Sequence, residues 1–175
     1  MKIENTSTQE IKTIVEAQRA FFRRGETLGL KFRQQALCAL STALKLWETR
    51  ISEALWKDLH KSYEEAYLTE LSIVLGEIDN HLHHLKRWMT PKHVGTPLKM
   101  MPSQSKVVVE PLGCTLIMAP WNYPVQLLLN PLVGAISAGC TAEAIALCAS
   151  YLEGAGGDDQ GDVPARIHRC GAGES

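Results

Sequence analysis

The stretch Glu110–Gly139, EPLGCTLIMAPWNYPVQLLLNPLVGAISAG, decides how this chain is read. Its apolar run Thr115–Ala119 stops at Pro120-Trp121-Asn122-Tyr123-Pro124, and a second apolar segment closes at Gly139. Cys114–Ala119 has the near-continuous apolarity expected of a strand buried on both faces. The two prolines make a rigid turn. Gln126–Ala138 then reads as a helix, with Pro131 either a kink or just inside its start. Strand, turn and helix form the first half of a βαβ unit, and open α/β sheets take their ligands at such junctions. On these residues alone the turn is either a ligand site or a rigid corner with a structural Asn.

Upstream, Lys106–Glu110 (KVVVE) is strand-like, and Pro111-Leu112-Gly113 is a turn signal between two β-rich runs. Residues 90–104, rich in Pro, Gly, Lys and Met, read as an irregular connection. Everything before them is helical. Ser7 and Glu10 have capping-box spacing, and Ile11, Ile14, Val15 and Phe22 repeat at helical intervals until Gly25. A second helix is expected from about Leu30 to Glu48, with Leu37, Leu40 and Leu44 on one face, and a shorter one around Ser52–Leu59. The longest pattern places Leu68, Leu71, Leu75, Ile78, Leu82, Leu85 and Met89 on one stripe, ended by Pro91. Helices with single apolar stripes must bury them together, which predicts a helical layer over residues 1–89.

The 175 residues suffice for one domain with a real core, and 45% hydrophobic with 21% charged residues is the balance of a soluble protein. A net charge of -1 gives no basis for a nucleic-acid or anionic-membrane partner. MKIENTSTQE has no apolar signal core, and no apolar run reaches the roughly 18 residues of a membrane span. Five cysteines without a CxxC pair fit reduced thiols and a cytoplasmic location. His81 and His84 share a helical face, but nothing completes a ligand set, so the reading is a solvated face and no metal. Lys57 and Lys61 read as a charged outer face. The glycine-rich segment after Glu153 matches neither GxGxxG nor a P-loop and reads as a disordered tail.

The turn with its flanks resembles the start of the cofactor domain of the aldehyde dehydrogenases, most nearly their class 3-like branch. Asp58–Leu71, DLHKSYEEAYLTEL, is similar to a helix of the same family's N-terminal region. The resemblance implies an α/β fold: an N-terminal helical layer, then the first strand and helix of an incomplete Rossmann-like parallel-sheet cofactor domain, here over 105–142. It implies oxidation of an aldehyde to a carboxylic acid with NAD or NADP, through a cysteine thiohemiacetal, and a homodimer for a full-length relative. By the same resemblance Asn122 donates to the oxyanion, Ala119, Pro120 and Trp121 line the cofactor, and Tyr123 faces the aldehyde channel. The family's cysteine nucleophile and glutamate base have no counterpart in this chain, which alone is expected to be inactive.

The resemblance stops after Thr141. The family continues into a strand ending Lys-Pro-Ser, whereas this chain reads Glu143-Ala144-Ile145-Ala146. Shifting the codons from Glu143 by one base allows Glu-Ala-Ile-Ala-Leu-Cys to read K-P-S-P-Y-A. With suitable synonymous codons the shifted frame stays family-like through Gly173. The expectation is a frameshift near Ala142, with 143–175 a non-family tail that brings no returning strand. The alternative is a non-catalytic helical fragment that pairs with a full-length subunit.

Overall fold

The computed structural model describes residues 7–146. Helix α1 (Thr8–Arg23) starts at a complete capping box: the Glu10 amide donates to Ser7 Oγ at 3.2 Å, and the Ser7 amide donates to Glu10 Oε2 at 2.9 Å. After a 3-10 turn (Glu26–Leu28), α2 runs unbroken from Leu30 to Leu59. Two helices were expected here. No Gly or Pro lies between Glu48 and Ser52 to interrupt the ladder, so one long helix forms. It ends at His60, whose positive φ of 54° turns the chain back.

A return arm follows in three continuous pieces: α3 (Tyr63–Ala66), a π-helical turn (Tyr67–Leu71) and α4 (Ser72–Met89). The expected stripe is buried from Leu71 onward: Leu71, Ile78 and Leu85 lie in the core, and Leu75, Leu82 and Met89 pack against it. Leu68 is exposed, and Ala66, Glu70, Val74 and Ile78 lie buried at successive i+4 steps. In a regular α-helix each such step overshoots a turn by about 40°, so three would rotate the stripe by about 120°. The wider π turn takes up part of that rotation and keeps Glu70 facing inward. The arm stops at Thr90 because Pro91 disfavours helical backbone at the residue before it.

Residues 90–104 are more regular than expected. Strand β1 (Lys92–Val94) pairs antiparallel with β2 (Ser105–Val107), with a 3-10 turn at Leu98–Met100 between them. Ladder pairing of the KVVVE run ends at Val107, and Val108 and Val109 lie exposed beyond it. β-propensity is expressed only where a partner strand is available.

Strand β3 (Cys114–Ala119), α5 (Pro124–Ala138) and β4 (Thr141–Ala146) form a βαβ unit. Here the expected missing strand is corrected: β4 pairs parallel with β3, Cys114 opposite Thr141 through Ala119 opposite Ala146. Gly139, at φ +84°, ends α5, and the Cys140 amide donates to the Ala135 carbonyl, closing a Schellman-type cap that returns the chain to the sheet. Backbone pairing asks little of side-chain identity, so Thr-Ala-Glu-Ala-Ile-Ala extends along the edge of β3 without the family's Lys-Pro-Ser. The boundary expected at residue 142 therefore falls inside a strand. The expected tail over 147–175 lies outside the described residues.

The core has three tiers. Leu37, Leu44, Ile51 and Leu55 of α2 and Leu71, Val74, Ile78 and Leu85 of the return arm form the helical layer. Val125, Leu128, Leu129, Leu132, Val133 and Ile136 make α5 apolar on several sides, so it packs between that layer and the sheet. Strand β3 is one-sided, not buried on both faces: Ile117 and Ala119 turn inward, while Leu116 and Met118 remain 59% and 69% exposed. Strand alternation sends these side chains to opposite faces, and only one face carries α5.

Candidate functional site

The Pro120–Pro124 turn sits at the C-terminal end of β3, at the mouth where open parallel sheets receive ligands. Pro120, Trp121, Asn122 and Tyr123 are exposed, whereas Ala119 on one side and Pro124 on the other are buried. The turn is thus anchored at both ends and open at its tip. Pro124 occupies the first position of α5, where its missing N–H is harmless.

Helix α5 has no N-cap side chain of its own. Its orphan amides are taken by a carboxylate from another element. Glu70 Oε2 accepts from the Val125 amide at 2.8 Å and from the Gln126 amide at 3.3 Å. Glu70 Oε1 accepts from Lys61 Nζ at 2.6 Å, and the same ammonium donates to the Asn122 carbonyl at 3.0 Å. Lys61 Nζ also lies 3.8 Å from the centre of the Tyr123 ring. Glu70 is 0% and Lys61 7% exposed. Lys61 is therefore not part of a charged outer face: the left-handed His60 delivers it inward, to the buried carboxylate. Sequence reasoning missed this pair. The available signal was a glutamate at i+4 spacing between Ala66 and Val74, on the stripe that becomes buried.

A second buried cation ties down the far end of α5. Arg33 donates from Nε to the Thr27 carbonyl at 2.9 Å, from Nη1 to the Ser137 carbonyl at 2.9 Å and from Nη2 to the Leu28 carbonyl at 3.3 Å. Burial pushes its pKa below the ordinary guanidinium value, and the nearby Cys140 offsets part of that. The guanidinium passes over Gly139, where a Cβ would lie 2.5 Å from Nη2.

The histidines divide. His83 and His84 face solvent, as expected, each bonded to a carbonyl of its own helix. His81 is instead largely buried, with Nδ1 2.6 Å from Ser137 Oγ and Nε2 3.0 Å from Glu77 Oε1, and packs edge-on against Trp88. The order Ser–His–carboxylate resembles a hydrolytic triad, but Ser137 is buried inside α5, out of reach of a substrate carbonyl. The chain of bonds joins α4 to α5. Among the described residues no group of three His, Cys, Asp or Glu could hold a metal.

No described cysteine stands beside Asn122. Cys114 opens β3, about 17 Å from Ala119 at the usual rise of a strand. Cys140 lies beyond the far end of the 15-residue α5, about 22 Å long at the helical rise. Cys38 is exposed on α2. A groove of about 350 Å³ runs along α2 beside Trp56, Lys61 and Tyr63, and none of the turn residues 119–124 lines it. Among the described residues no helix is long and apolar enough to cross a membrane.

The arrangement of helical layer, one-sided βαβ unit and clamped turn has relatives. The model of the Aldehyde dehydrogenase family matches residues 1–143. The 4,4'-diaponeurosporen-aldehyde dehydrogenase of Staphylococcus aureus is 47% identical over 124 residues, 71% of this chain and 27% of the relative. Aldehyde dehydrogenase family 3 member F1 of Arabidopsis thaliana is 37% identical over 133 residues, 76% of this chain and 28% of the relative. The substrate-bound structure of Staphylococcus aureus AldH superposes with a TM-score of 0.73 at 43% identity, covering 79% of this chain and 30% of that one. The chain thus spans between a quarter and a third of the length of these relatives. A family match over more than four fifths of the sequence, which takes in the strand, turn and helix around Asn122, places this chain in the aldehyde dehydrogenase family, with class 3 members among its relatives.

Proposed function

We propose that this chain supplies the helical layer and the oxyanion turn of an NAD(P)-dependent aldehyde dehydrogenase that converts aldehydes to carboxylic acids. The observation that carries the reading is Asn122, exposed at the tip of a turn whose two ends are buried and whose backbone is held from within. A donor fixed in advance stabilises a developing oxyanion without reorganising during the reaction. Ala119, Pro120 and Trp121 suit a dinucleotide, because they end a parallel strand at the open mouth of the sheet and no described side chain fills the space above Trp121, which is 66% exposed. NAD or NADP, when bound, would accept the hydride. Tyr123 is held against Lys61 on one side and is partly exposed on the other, a position suited to the aldehyde's approach.

The nucleophile and base would come from sequence beyond that described, and the shifted codon frame from Glu143 is the proposed source. The family match ends at residue 143, where that reading begins, which supports it. On this reading the 175-residue chain by itself does not turn over aldehyde, sits in the cytoplasm, and its frame-extended form is a homodimer.

The test is to sequence the coding DNA across Thr141–Glu143, extend the chain in the shifted frame, and follow NADH or NADPH absorbance with aldehyde. Asn122→Ala should lower kcat by about two to three orders of magnitude, the loss typical of one oxyanion donor. A coding sequence incompatible with the shifted reading removes the frameshift. An extended enzyme whose rate is indifferent to Asn122→Ala removes the oxyanion role.

A further inference from the structure

Lys61 and Glu70 belong to different elements from the turn they touch, and each makes contacts that a purely local salt bridge would not need. One carboxylate spans two jobs: Oε1 takes the ammonium, and Oε2 takes the two amides that open α5. One ammonium likewise reaches the Glu70 carboxylate, the Asn122 carbonyl and the Tyr123 ring. Burying an ion pair costs several kcal/mol per ion unless further hydrogen bonds satisfy the remaining lone pairs and protons. Here those further bonds all go to residues 122–126. A buried pair invested wholly in one turn fixes that turn's backbone, and with it the direction of the side chain at its tip.

We propose that Lys61 and Glu70 are positioning residues for the reaction: they lock the Asn122 carbonyl and the first amides of α5, and so aim the Asn122 side-chain amide. The π turn at Tyr67–Leu71 is part of the device, since it keeps Glu70 facing α5. This inference rests on Asn122 as the oxyanion donor, yet the clamp itself can be tested without catalysis.

Amides in the first turn of a helix normally lack a partner and exchange quickly. The Val125 amide, bonded to a fully buried carboxylate, should be protected in this chain as it stands. The double variant Lys61→Met/Glu70→Leu removes the clamp, its acceptor oxygens included, and leaves neither charge buried alone, which avoids the unfolding that one lone buried ion invites. Hydrogen exchange should then rise about tenfold or more at the Val125 and Gln126 amides, the loss expected for charge-assisted bonds, with α1 unchanged. In the frame-extended enzyme the same variant should lower kcat about ten- to hundredfold with KM within about twofold. Combined with Asn122→Ala, the clamp variant should lose little more than Asn122→Ala does alone, because the two changes remove one function.

Exchange that rises equally in α1, or does not rise at Val125 and Gln126, overturns the clamp. So does a kcat loss that simply adds to that of Asn122→Ala. Asn122→Ala with an unaltered rate would sink the oxyanion reading instead, and the exchange data alone would then decide whether the clamp exists.

Discussion

Gly139 is used twice, and the two uses can be separated by substitution. Its φ of +84° is strained for any residue with a Cβ, at a cost of about 1–2 kcal/mol. Its missing side chain also makes room for Arg33, whose Nη2, Cζ and Nε would lie 2.5, 2.6 and 2.8 Å from an added Cβ. Gly25 shares the left-handed backbone, at +75°, but a Cβ there would meet only Leu28 Cδ1 at an ordinary 3.4 Å. Gly25→Ala should therefore cost the backbone strain alone, about 1–2 kcal/mol. Gly139→Ala should cost about 3 kcal/mol or more, because Arg33 must also give up hydrogen bonds that hold its buried charge. Urea unfolding of the two variants checks this. Equal losses would mean that Arg33 moves aside freely and does not anchor the end of α5.

At the scale of elements, the elbow between α2 and α3 is fixed on both sides. Lys61 holds it from within, and outside it the Tyr63 hydroxyl donates to the Glu48 carboxylate of α2. That hydrogen bond, and behind it burial and neighbouring carboxylates, raises the Tyr63 pKa above its ordinary 10.0. The folded chain then keeps the phenolic proton at a pH where the unfolded chain releases it. The contribution is complete below pH 10 and is lost as pH rises through the higher folded value. Urea midpoints should fall on the alkaline side of pH 10, and Tyr63→Phe should flatten that fall. An equally steep fall in Tyr63→Phe would assign it to other groups. The same elbow marks the limit of what the sequence discloses. The long amphipathic arm, the Pro91 stop, the capping box and the strand-turn-helix of 114–138 were all legible, because each depends on neighbours within a few positions. Lys61, Glu70 and Arg33 were not, because the contacts that tie them to the turn and to α5 reach 61, 55 and 104 positions along the chain and form only once the elements pack. The returning strand β4 escaped for a related reason: its evidence is the free edge of β3, not its own composition.

For the molecule as a whole, the decisive feature is the face of the βαβ unit that the described residues leave largely open. Leu116 and Met118 point away from α5, and α1 reaches this side of the sheet at Glu143, where Gln18 Nε2 donates to Oε2 at 3.1 Å. Two large apolar side chains on an open sheet face invite association or a covering layer. In a doubly wound sheet that layer is supplied by later helices of the same chain, so one pair of substitutions reports on both states. In the chain as it stands, Leu116→Ser/Met118→Ser should shift stability by about 0.5 kcal/mol per site or less, as exposed sites do. The same change should also reduce self-association measured by sedimentation. In the frame-extended chain the pair should cost about 2 kcal/mol or more at each site, because the side chains would be buried there. A small cost in both chains would mean that the continuation never covers this face, and the shifted frame would lose its structural purpose. A large cost in the short chain would mean that it already covers the face by pairing with another copy, and the loss should then depend on protein concentration.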